Sequence, residues 1–553
     1  RIGGGTRTQQ TIFETALYHS LLHPNVFSDS NGQYRGFDGR VHRAPRGRAE
    51  YANYSGWDTY RSQVQLEALV APHQTSDMVR SMLDDYAQTG QLPKWNFDGS
   101  ETYVMVGDPA DSIIADAYAF GARHFDTGEA LTAMQAEANQ PNDVRPGQAY
   151  DENDGYLPSD GGYGCCNFYG PVSTQLEYDT ADHAIAAFAA DLGRKGISSS
   201  FARRASNWQN VFDPASGYLE PKNADGRFAS HVGPSSTAGF VEGTSAQYTP
   251  MVPFDVAGLA AAAGGDAAWV ARLDSLTSHI RHPGPRQSDF GNEPSLEVPW
   301  EYDYVGAPYR AQRVVRRIER ELYLPKPAGI AGNDDLGEMS SWYVFAALGF
   351  YPETPGTADL ALGSALFPRA ALHLPSGRTL TVDAPKAAIG SPYVHAMTVD
   401  GRTWRHAYLP ASLVSSGGTV DETLSATPDP GFGATAADAP PSDGRGSASA
   451  LGYTDKHVVT AAPGQTVTFA VGARNLQPAA QDVSWSASSD ADLGLVPQSG
   501  TLALPAGGRR SATVSVTAPS TVGSHLVTVD LSPSAAGATP PPVVIEVDVV
   551  ASG

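Results

Sequence analysis

Four loops within the first 350 residues combine tryptophan or tyrosine with carboxylates and glycines. They are Tyr54–Arg61 (YSGWDTYR), Gly239–Val256 (GFVEGTSAQYTPMVPFDV), Gly291–Trp300 (GNEPSLEVPW) and Gly329–Trp342 (GIAGNDDLGEMSSW). Aromatic faces stack on the C–H surfaces of sugars, while carboxylates accept hydrogen bonds from sugar hydroxyls. A pair of carboxyl groups also suits glycoside hydrolysis, one protonated at the leaving oxygen and one acting at the anomeric carbon. In a single loop of this kind, the aromatic residue often belongs to the core and the aspartate often caps a helix. Four such loops together predict a sugar-binding pocket.

The segments between these loops have the spacing of amphipathic helices. In Asp77–Thr89, apolar side chains recur at Val79, Met82, Leu83 and Tyr86, the i, i+3, i+4, i+7 pattern of a helix face. Proline or glycine stands in nearly every gap between such segments. The other segments are Asp111–His124, Thr180–Leu192, Asp255–Ala263, Ala267–Ile280, Pro308–Tyr323 and Ser340–Leu348. We therefore expect residues 1–353 to form an all-α array with no strand between the helices.

The second part of the chain has the alternation of short strands. Residues 354–424 contain strand-like runs at Ala371–Leu374, Thr379–Val382 and Ala396–Val399, which predict a β-rich appendage. Residues 425–454 are rich in alanine, aspartate, proline, glycine and serine, a composition typical of an exposed linker. Residues 455–553 hold short β-rich runs separated by turns at intervals of about 8–12 residues, which predicts a small β-sandwich.

Composition and charge exclude several classes of function. The chain has 553 residues and a formal net charge of −22, which argues against a nucleic-acid or anionic-membrane partner. No apolar run approaches the ~20 residues that cross a bilayer. The two cysteines, Cys165 and Cys166, are adjacent; we expect either buried thiols in a turn or a vicinal disulfide. The chain begins at Arg1 without an apolar leader, and we expect a processed or truncated product.

The four loops resemble motifs of glycoside hydrolase family 92, the calcium-dependent exo-acting α-mannosidases. Similar stretches run from Phe13 to about Leu374, and the most specific are GFVEGTSAQYT with VPFDV, GNEPS and GNDDLGEMSSWYVFAALGFYP, in that order. The resemblance implies that the body is an α/α toroid of six helical hairpins. It also implies a preceding β-sandwich that walls the active site, so we expect an N-terminal domain or chain to complete this pocket.

The resemblance gives roles to particular carboxylates. Glu242, in GFVEG, matches the family's general acid, and Asp335, in GNDDLG, matches its general base, with Asp334 supporting the base. Because the family inverts configuration, the base activates a water, and the two carboxyl groups are expected about 6.5–9.5 Å apart. A general acid working near neutral pH also needs a pKa raised by burial. Asn333 replaces an aspartate found in some members, and we expect it to donate a hydrogen bond instead.

Metal and sugar ligands follow from the same resemblance. Asn292 through a carbonyl and Glu293 through its carboxylate are the expected ligands of Ca²⁺, a cation that prefers six to eight oxygen ligands. The cis O2 and O3 of a mannose are a natural chelate for the same ion. Trp57 and Asp58 match residues that hold the terminal mannose, and Gln247 extends the acid loop towards it.

The linkage that would be cleaved stays open. Ser288 and Asp289 stand just before GNEP, where family members specific for α-1,2 bonds tend to have His-Glu. Some actinobacterial relatives cleave mannose-1-phospho-6-mannose, from which phosphate leaves without protonation. Retention of Glu242 favours an ordinary alcohol leaving group.

The expected function is therefore a secreted exo-α-mannosidase acting on mannose-terminated glycans such as N-glycans or mannan. The excess of arginine over lysine and the abundance of alanine are compositional hints of a bacterial origin. The alternative from another class is a mannose-binding protein that is inactive without its N-terminal domain.

Overall fold

The computed structural model describes residues 1–164, 170–374, 376–444, 449–456, 458–477, 479–537, 539–540 and 542–550. Its α-helices are α1 (Arg7–His19), α2 (Gly56–Thr59), α3 (Gln63–Val70), α4 (Pro72–Thr89), α5 (Ala110–Ala119), α6 (Thr127–Asn139), α7 (Gln148–Asp154), α8 (Pro171–Asp191), α9 (Lys195–Ala205), α10 (Ser245–Tyr248), α11 (Val256–Ala262), α12 (Asp266–Leu276), α13 (Pro308–Glu321), α14 (Glu338–Leu348) and α15 (Ser412–Ser416). In the described chain, no helix is both long and apolar enough to cross a membrane.

Strands occur throughout the described chain, and those of the first half are very short. They are β1 (Ile2–Gly3), β2 (Asn25–Val26), β3 (Gln33–Arg35), β4 (Val41–Arg43), β5 (Tyr51–Ala52), β6 (Asn96–Phe97), β7 (Ser100–Glu101), β8 (Phe212–Asp213), β9 (Tyr218–Leu219), β10 (Phe350–Tyr351), β11 (Leu360–Leu362), β12 (Arg369–His373), β13 (Thr379–Asp383), β14 (Tyr393–Val399), β15 (Arg402–Trp404), β16 (Tyr408–Leu409), β17 (Gly418–Ser425), β18 (Ala450–Thr454), β19 (Val458–Ala461), β20 (Thr466–Asn475), β21 (Gln481–Ser489), β22 (Ser499–Leu504), β23 (Arg509–Thr517), β24 (Gly523–Pro533) and β25 (Val543–Val549).

The body is mainly helical, and each predicted helix is present with shifted ends. Helix α5 ends at Ala119, short of the predicted His124, because Gly121 at φ 108° turns the chain. Helix α8 begins at Pro171, well before the predicted Thr180. Nearly every side chain of α8 is buried, polar ones included, so its start lacks the alternation that marks a surface helix. The prediction of a body without strands is wrong, because the two-stranded pairs β2–β5, β3–β4, β6–β7 and β8–β9 lie between the helices. The six-hairpin toroid stays a prediction.

The β-rich appendage shares its core with the helical body. Its larger sheet has the order β1-β12-β13-β17-β14-β15, and a smaller one has the order β10-β11-β16. Strand β1 pairs with β12, so Ile2 lies opposite Ala370 at the edge of the larger sheet. One cluster of buried apolar side chains extends from Phe13 in α1 to Phe432 beyond β17. The appendage and the body therefore bury their apolar surfaces against each other.

Within the stretch predicted as an exposed linker, the described residues are fastened to the body at several points, although many of them are exposed as predicted. Phe432 is buried, the Asp443 amide donates to the Phe254 carbonyl over 3.0 Å, and the Gly444 amide donates to Asp255 over 2.8 Å. Strand β18 already begins within this stretch, at Ala450. The composition did suggest irregular backbone, but it gave no sign of the backbone hydrogen bonds that fasten the segment.

The C-terminal region is a two-sheet sandwich with its own apolar core. Its sheets have the orders β18-β20-β23 and β19-β25-β24-β21-β22, and its core runs from Ala450 to Val547. Helix α9 of the body binds it: Ser200 Oγ donates to the Val544 carbonyl and Arg203 Nη1 to the Gly452 carbonyl, both over 2.7 Å. The sandwich is thus attached to the body by buried polar contacts.

Candidate active site

The short helix α2 carries Trp57 and Asp58, both almost completely buried. The Trp57 ring packs with Met105, Val106 and Val241, the last of which immediately precedes Glu242. This small apolar cluster is separate from the main core. It therefore joins the predicted mannose-holding segment to the predicted acid loop.

Arg61 lies beneath this segment and was missed by the sequence argument. Its Nε donates to the Trp57 carbonyl over 3.2 Å, and its guanidinium lies 5.2 Å from the centre of the Trp57 ring. Its two terminal nitrogens form ion pairs with Glu177 at 2.8 Å and Glu297 at 2.7 Å, all buried. Because a buried charge is tolerated only when it is paired, this arginine ties α2, α8 and the GNEP segment together. The only sign of Arg61 in the sequence is its position at the end of the YSGWDTYR motif.

The acid loop is held at both ends, while Glu242 itself is exposed. The Val241 amide donates to Ser173 Oγ over 2.9 Å. On the other side, Gln247 accepts from the Thr244 amide over 3.0 Å and donates to the Gln287 carbonyl over 2.8 Å. Gln247 is thus engaged in a capping box at the start of α10. Its side chain thus fastens the loop, and its predicted contact with mannose stays a prediction.

The base loop is anchored through Asp334 rather than Asp335. Asp334 accepts from the Ser340 amide over 3.0 Å, and its other carboxylate oxygen lies 3.2 Å from His19 Nδ1, so its carboxylate faces the start of α14 and the end of α1. Asp335 is half-buried and begins a short 3₁₀ turn ending at Gly337. Asn333, the other predicted residue of this loop, is exposed.

The GNEP loop connects the other two loops. Asn292 Nδ2 donates to the backbone carbonyl of Glu242 over 3.0 Å, and Gly291 lies against Gly332 of the base loop. Glu293 follows in a 3₁₀ turn and is almost fully buried. The predicted catalytic residues are therefore brought to one place by direct contacts of this loop.

The two predicted linkage residues have different surroundings. Ser288 is buried, and its hydroxyl has no hydrogen-bond partner among the described residues. Asp289 is exposed and accepts from the Gly291 amide over 3.1 Å, which starts the turn into GNEP. Of these two residues, Asp289 is therefore the one whose side chain is accessible to a ligand.

Four carboxylates influence one another's protonation. Although Glu242 is exposed in part, the partial loss of solvent around its carboxyl group raises its pKa, and the negative charge of Asp335 adds to the effect. Burial likewise raises the pKa of Asp58, again with Asp335 as the next cause. For Glu293 the pKa is raised well above its ordinary value, first by burial and then by Asp58 and Asp335. The charge of Asp335 thus acts on Asp58, Glu242 and Glu293 alike, which indicates that all three lie near it.

The donor set of this pocket suits a hard cation. Glu293 Oε1 and Asp58 Oδ2 are buried and have no hydrogen-bond partner among the described residues, and a buried carboxylate oxygen needs a cation, a proton or a hydrogen bond. In the described chain, however, no group of three or more acidic, histidine or cysteine side chains converges as a ready-made metal site. A cation here would take few protein carboxylates and fill its coordination with carbonyl, water and sugar oxygens.

Two other features noted in the sequence lie apart from the pocket. Trp300 is fully buried and stacks on Tyr351, with ring centres 4.9 Å apart and planes 5° apart. It belongs to the core. Cys165 and Cys166 lie outside the described residues, so neither expectation about them is tested.

A family model supplies the deciding comparison. The model described as the glycosyl hydrolase family 92 catalytic domain matches residues 1–426. The chain belongs to this family. A solved family 92 α-mannosidase of Bacteroides thetaiotaomicron is 31% identical with a TM-score of 0.75, and the match covers 79% of this chain and 58% of that one.

Further relatives agree with this assignment. A structure of the same α-mannosidase in complex with mannoimidazole is 30% identical with a TM-score of 0.74, covering 79% of this chain and 59% of that one. An inverting family 92 mannosidase of the same organism is 30% identical with a TM-score of 0.73, covering 80% and 63%. An uncharacterized secreted glycosidase of Arthroderma benhamiae is 27% identical over 67% of this chain and 51% of its own length. The chain thus spans about half to two thirds of these relatives.

Proposed function

We propose that this chain is an exo-acting α-mannosidase that releases terminal mannose from N-glycan or mannan termini by calcium-dependent, inverting hydrolysis. The observation that carries the proposal is the direct contact of the GNEP loop with both other loops, through the bond from Asn292 to the Glu242 carbonyl and the packing of Gly291 on Gly332. The charge of Asp335 accordingly acts on both Glu242 and Glu293. The solved relatives described as α-mannosidases support the choice of sugar. The six-hairpin toroid is part of the same proposal.

Glu242 acts as the general acid. Burial and the charge of Asp335 raise its pKa, which favours the protonated form that a leaving oxygen requires. The residue is exposed enough to reach a leaving group at the mouth of the pocket. Its φ of 53° is uncommon for a non-glycine residue, and such strain is often found where a side chain must be aimed.

Asp335 acts as the general base and takes a proton from the attacking water. In an inverting hydrolase this carboxylate stands on the face of the sugar opposite to the acid, at a separation of about 6.5–9.5 Å. Asp334 does not share the proton transfer, because both of its carboxylate oxygens are engaged with Ser340 and His19. Asp334 supports the base by holding the backbone of the turn that carries Asp335.

Glu293 through its carboxylate and Asn292 through a carbonyl would hold Ca²⁺. When bound, the ion would supply positive charge next to the cis O2 and O3 of mannose. Asp58, with its unpartnered buried oxygen, accepts hydrogen bonds from mannose hydroxyls, and Trp57 forms the apolar wall behind it. Asn333 lies exposed beside the base and is available to donate to a sugar or water.

The natural substrate is an α-mannoside with an alcohol leaving group, because Glu242 is retained. A mannose-1-phospho-6-mannose substrate would not need this acid. Exposed Asp289 is positioned to contact the leaving group and so to influence linkage. We further propose that the protein acts outside the cell, as the name of its fungal relative suggests, and that an N-terminal β-sandwich domain or chain completes the pocket.

The second candidate is a mannose-binding protein that lacks turnover on its own. The buried Asp58 oxygen without a hydrogen-bond partner would serve to bind the sugar as well as to position it for hydrolysis. The test is to incubate the purified chain with α-1,2-, α-1,3-, α-1,6- and phospho-linked mannosides, with and without EDTA. Release of mannose supports the hydrolase, whereas mannose binding without release supports the alternative.

A further inference from the structure

The turn that carries Asp335 is held in an unfavourable backbone conformation. Three successive residues have positive φ: Asp335 at 44°, Leu336 at 59° and Gly337 at 106°. For residues with a Cβ, this left-handed region costs on the order of 1–3 kcal/mol each. Such a turn persists only when its surroundings hold it, so the residues that hold it also determine where the Asp335 carboxylate points.

One set of contacts fixes the start of the turn through Asp334. The Asp334 carbonyl accepts from the Gly337 amide over 3.0 Å and from the Met339 amide over 3.3 Å. Its carboxylate accepts from the Ser340 amide, and its second oxygen lies 3.2 Å from His19 Nδ1. His19 is the last residue of α1, so this contact joins the start of the turn to the end of that helix.

A second set of contacts fixes the far side of the turn. Gln63 Nε2 donates to the Leu336 carbonyl over 2.9 Å, to the His23 carbonyl over 2.8 Å and to the Ser20 carbonyl over 3.2 Å. Gly337 packs directly on the end of α1, because a Cβ on it would lie 2.8 Å from the His19 carbonyl oxygen. The strained turn is therefore joined to the end of α1 on both sides.

We propose that His19 and Gln63 are positioning residues that hold the Asp334–Gly337 turn and thereby aim the Asp335 carboxylate. This inference rests on the proposed function of Asp335. His19 acts through Asp334, and Gln63 acts through the Leu336 carbonyl. Neither residue takes part in proton transfer to the substrate.

The kinetic test uses two substitutions of His19 that differ only in the position of the donor. Asparagine places its amide nitrogen where the histidine has Nδ1, whereas glutamine places it near Nε2. We expect His19→Ala and His19→Gln to lower kcat about tenfold with KM within twofold, and His19→Asn to retain near wild-type kcat. Gln63→Met, which preserves volume without the donor, should lower kcat by at least as much as His19→Ala.

A second measurement does not depend on turnover. Hydrogen exchange of the peptide covering 334–340 should be faster in His19→Ala than in wild type and normal in His19→Asn, because the amides of Gly337, Met339 and Ser340 all bind Asp334. Unchanged exchange together with unchanged kcat in His19→Ala would overturn the proposal. A raised KM with normal kcat would overturn it as well, by showing a sugar contact. If the wild-type chain cleaves no mannoside, the proposed function fails, while the exchange experiment still judges the role of His19.

Discussion

Gly291 and Gly332 lie in direct backbone contact, so that a Cβ on Gly332 would overlap the carbonyl oxygen of Gly291. Gly332 also has a φ of 65°, which glycine adopts readily. This contact sets the spacing between Glu293 and Asp335, each of which follows its glycine by two or three residues. The contact between two glycines thus fixes the distance between the carboxylate predicted to bind the cation and the carboxylate predicted to activate water.

Gly332→Ala should therefore impair catalysis more than folding. The added methyl group must push the GNEP and GNDD loops apart, and a shift of about 1 Å at a catalytic group can cost on the order of 100-fold in rate. We expect a large loss of kcat, measured on a mannoside, with a modest fall of the unfolding temperature. Gly39→Ala is the matched control, because Gly39 also has positive φ but a Cβ added there would meet nothing within 4 Å; its kcat should be unchanged.

The sequence indicated which loops come together but not how they are supported, and the chemistry of the pocket stays a prediction. The motifs predicted that Glu242, Asp335, Glu293 and Asp58 lie close together, because each of these residues stands in a short continuous motif of the same family. Arg61 was missed, since its partners lie more than 100 positions away along the chain, and no local pattern records such a distance.

Gln247 has a supporting role that the motif did not reveal. It stands beside Glu242 and is predicted to reach mannose, and its amide also caps α10 and binds the Gln287 carbonyl. The contacts of the stretch before β18, which was predicted as linker, were missed for a related reason. Composition records which residues avoid regular structure, but the hydrogen bonds that fasten irregular backbone depend on the tertiary fold.

Stability should fall as the pH rises, and Glu50 allows a direct test. Burial, followed by the charge of Asp84, raises the pKa of Glu50 to about 8, while an unfolded glutamate titrates near pH 4.3. The stabilisation that protonated Glu50 contributes to the fold is thus fully present below about pH 4 and is lost as the pH rises through about 8. Glu50→Gln mimics the protonated carboxyl. Its denaturant midpoint should match wild type at pH 4 and exceed it at pH 9.

Asp84→Asn provides the control for that experiment. Removing the neighbouring negative charge should bring the pKa of Glu50 closer to its ordinary value and weaken, without abolishing, the fall of stability with pH. Equal pH dependence in wild type and Glu50→Gln would show that Glu50 is ionised in the folded protein at neutral pH.

Glu242→Gln should reveal the acid through its dependence on the leaving group. Loss of a general acid costs about 10²–10⁴ in rate when the leaving alcohol needs a proton. We expect that loss of kcat on a mannobiose and a much smaller one on an aryl mannoside with an acidic phenol. Equal losses on both substrates would indicate a role in binding, and an unaffected rate on a phospho-linked mannoside would identify that linkage as a substrate that needs no acid.

Activity should depend on calcium. Exhaustive chelation should abolish turnover, Ca²⁺ should restore it, and Mg²⁺ should restore it poorly, because the smaller ion demands near-octahedral geometry and releases its waters reluctantly. Glu293→Gln should raise the Ca²⁺ concentration needed for half-maximal activity. Full turnover after chelation, checked by metal analysis of the protein, would remove the ion from the mechanism.

The stereochemistry of the product tests the role of Asp335. If this carboxylate activates water on the face opposite to Glu242, the first product must be β-mannose, which NMR detects before mutarotation. Asp335→Asn should abolish turnover while leaving mannose binding within a few fold, since the residue holds water rather than sugar. Azide needs no deprotonation and should partly restore the variant. Asp334→Asn should be milder, because the asparagine oxygen can still accept from the Ser340 amide. Initial release of α-mannose, or greater damage from Asp334→Asn than from Asp335→Asn, would reverse the assignment of the base.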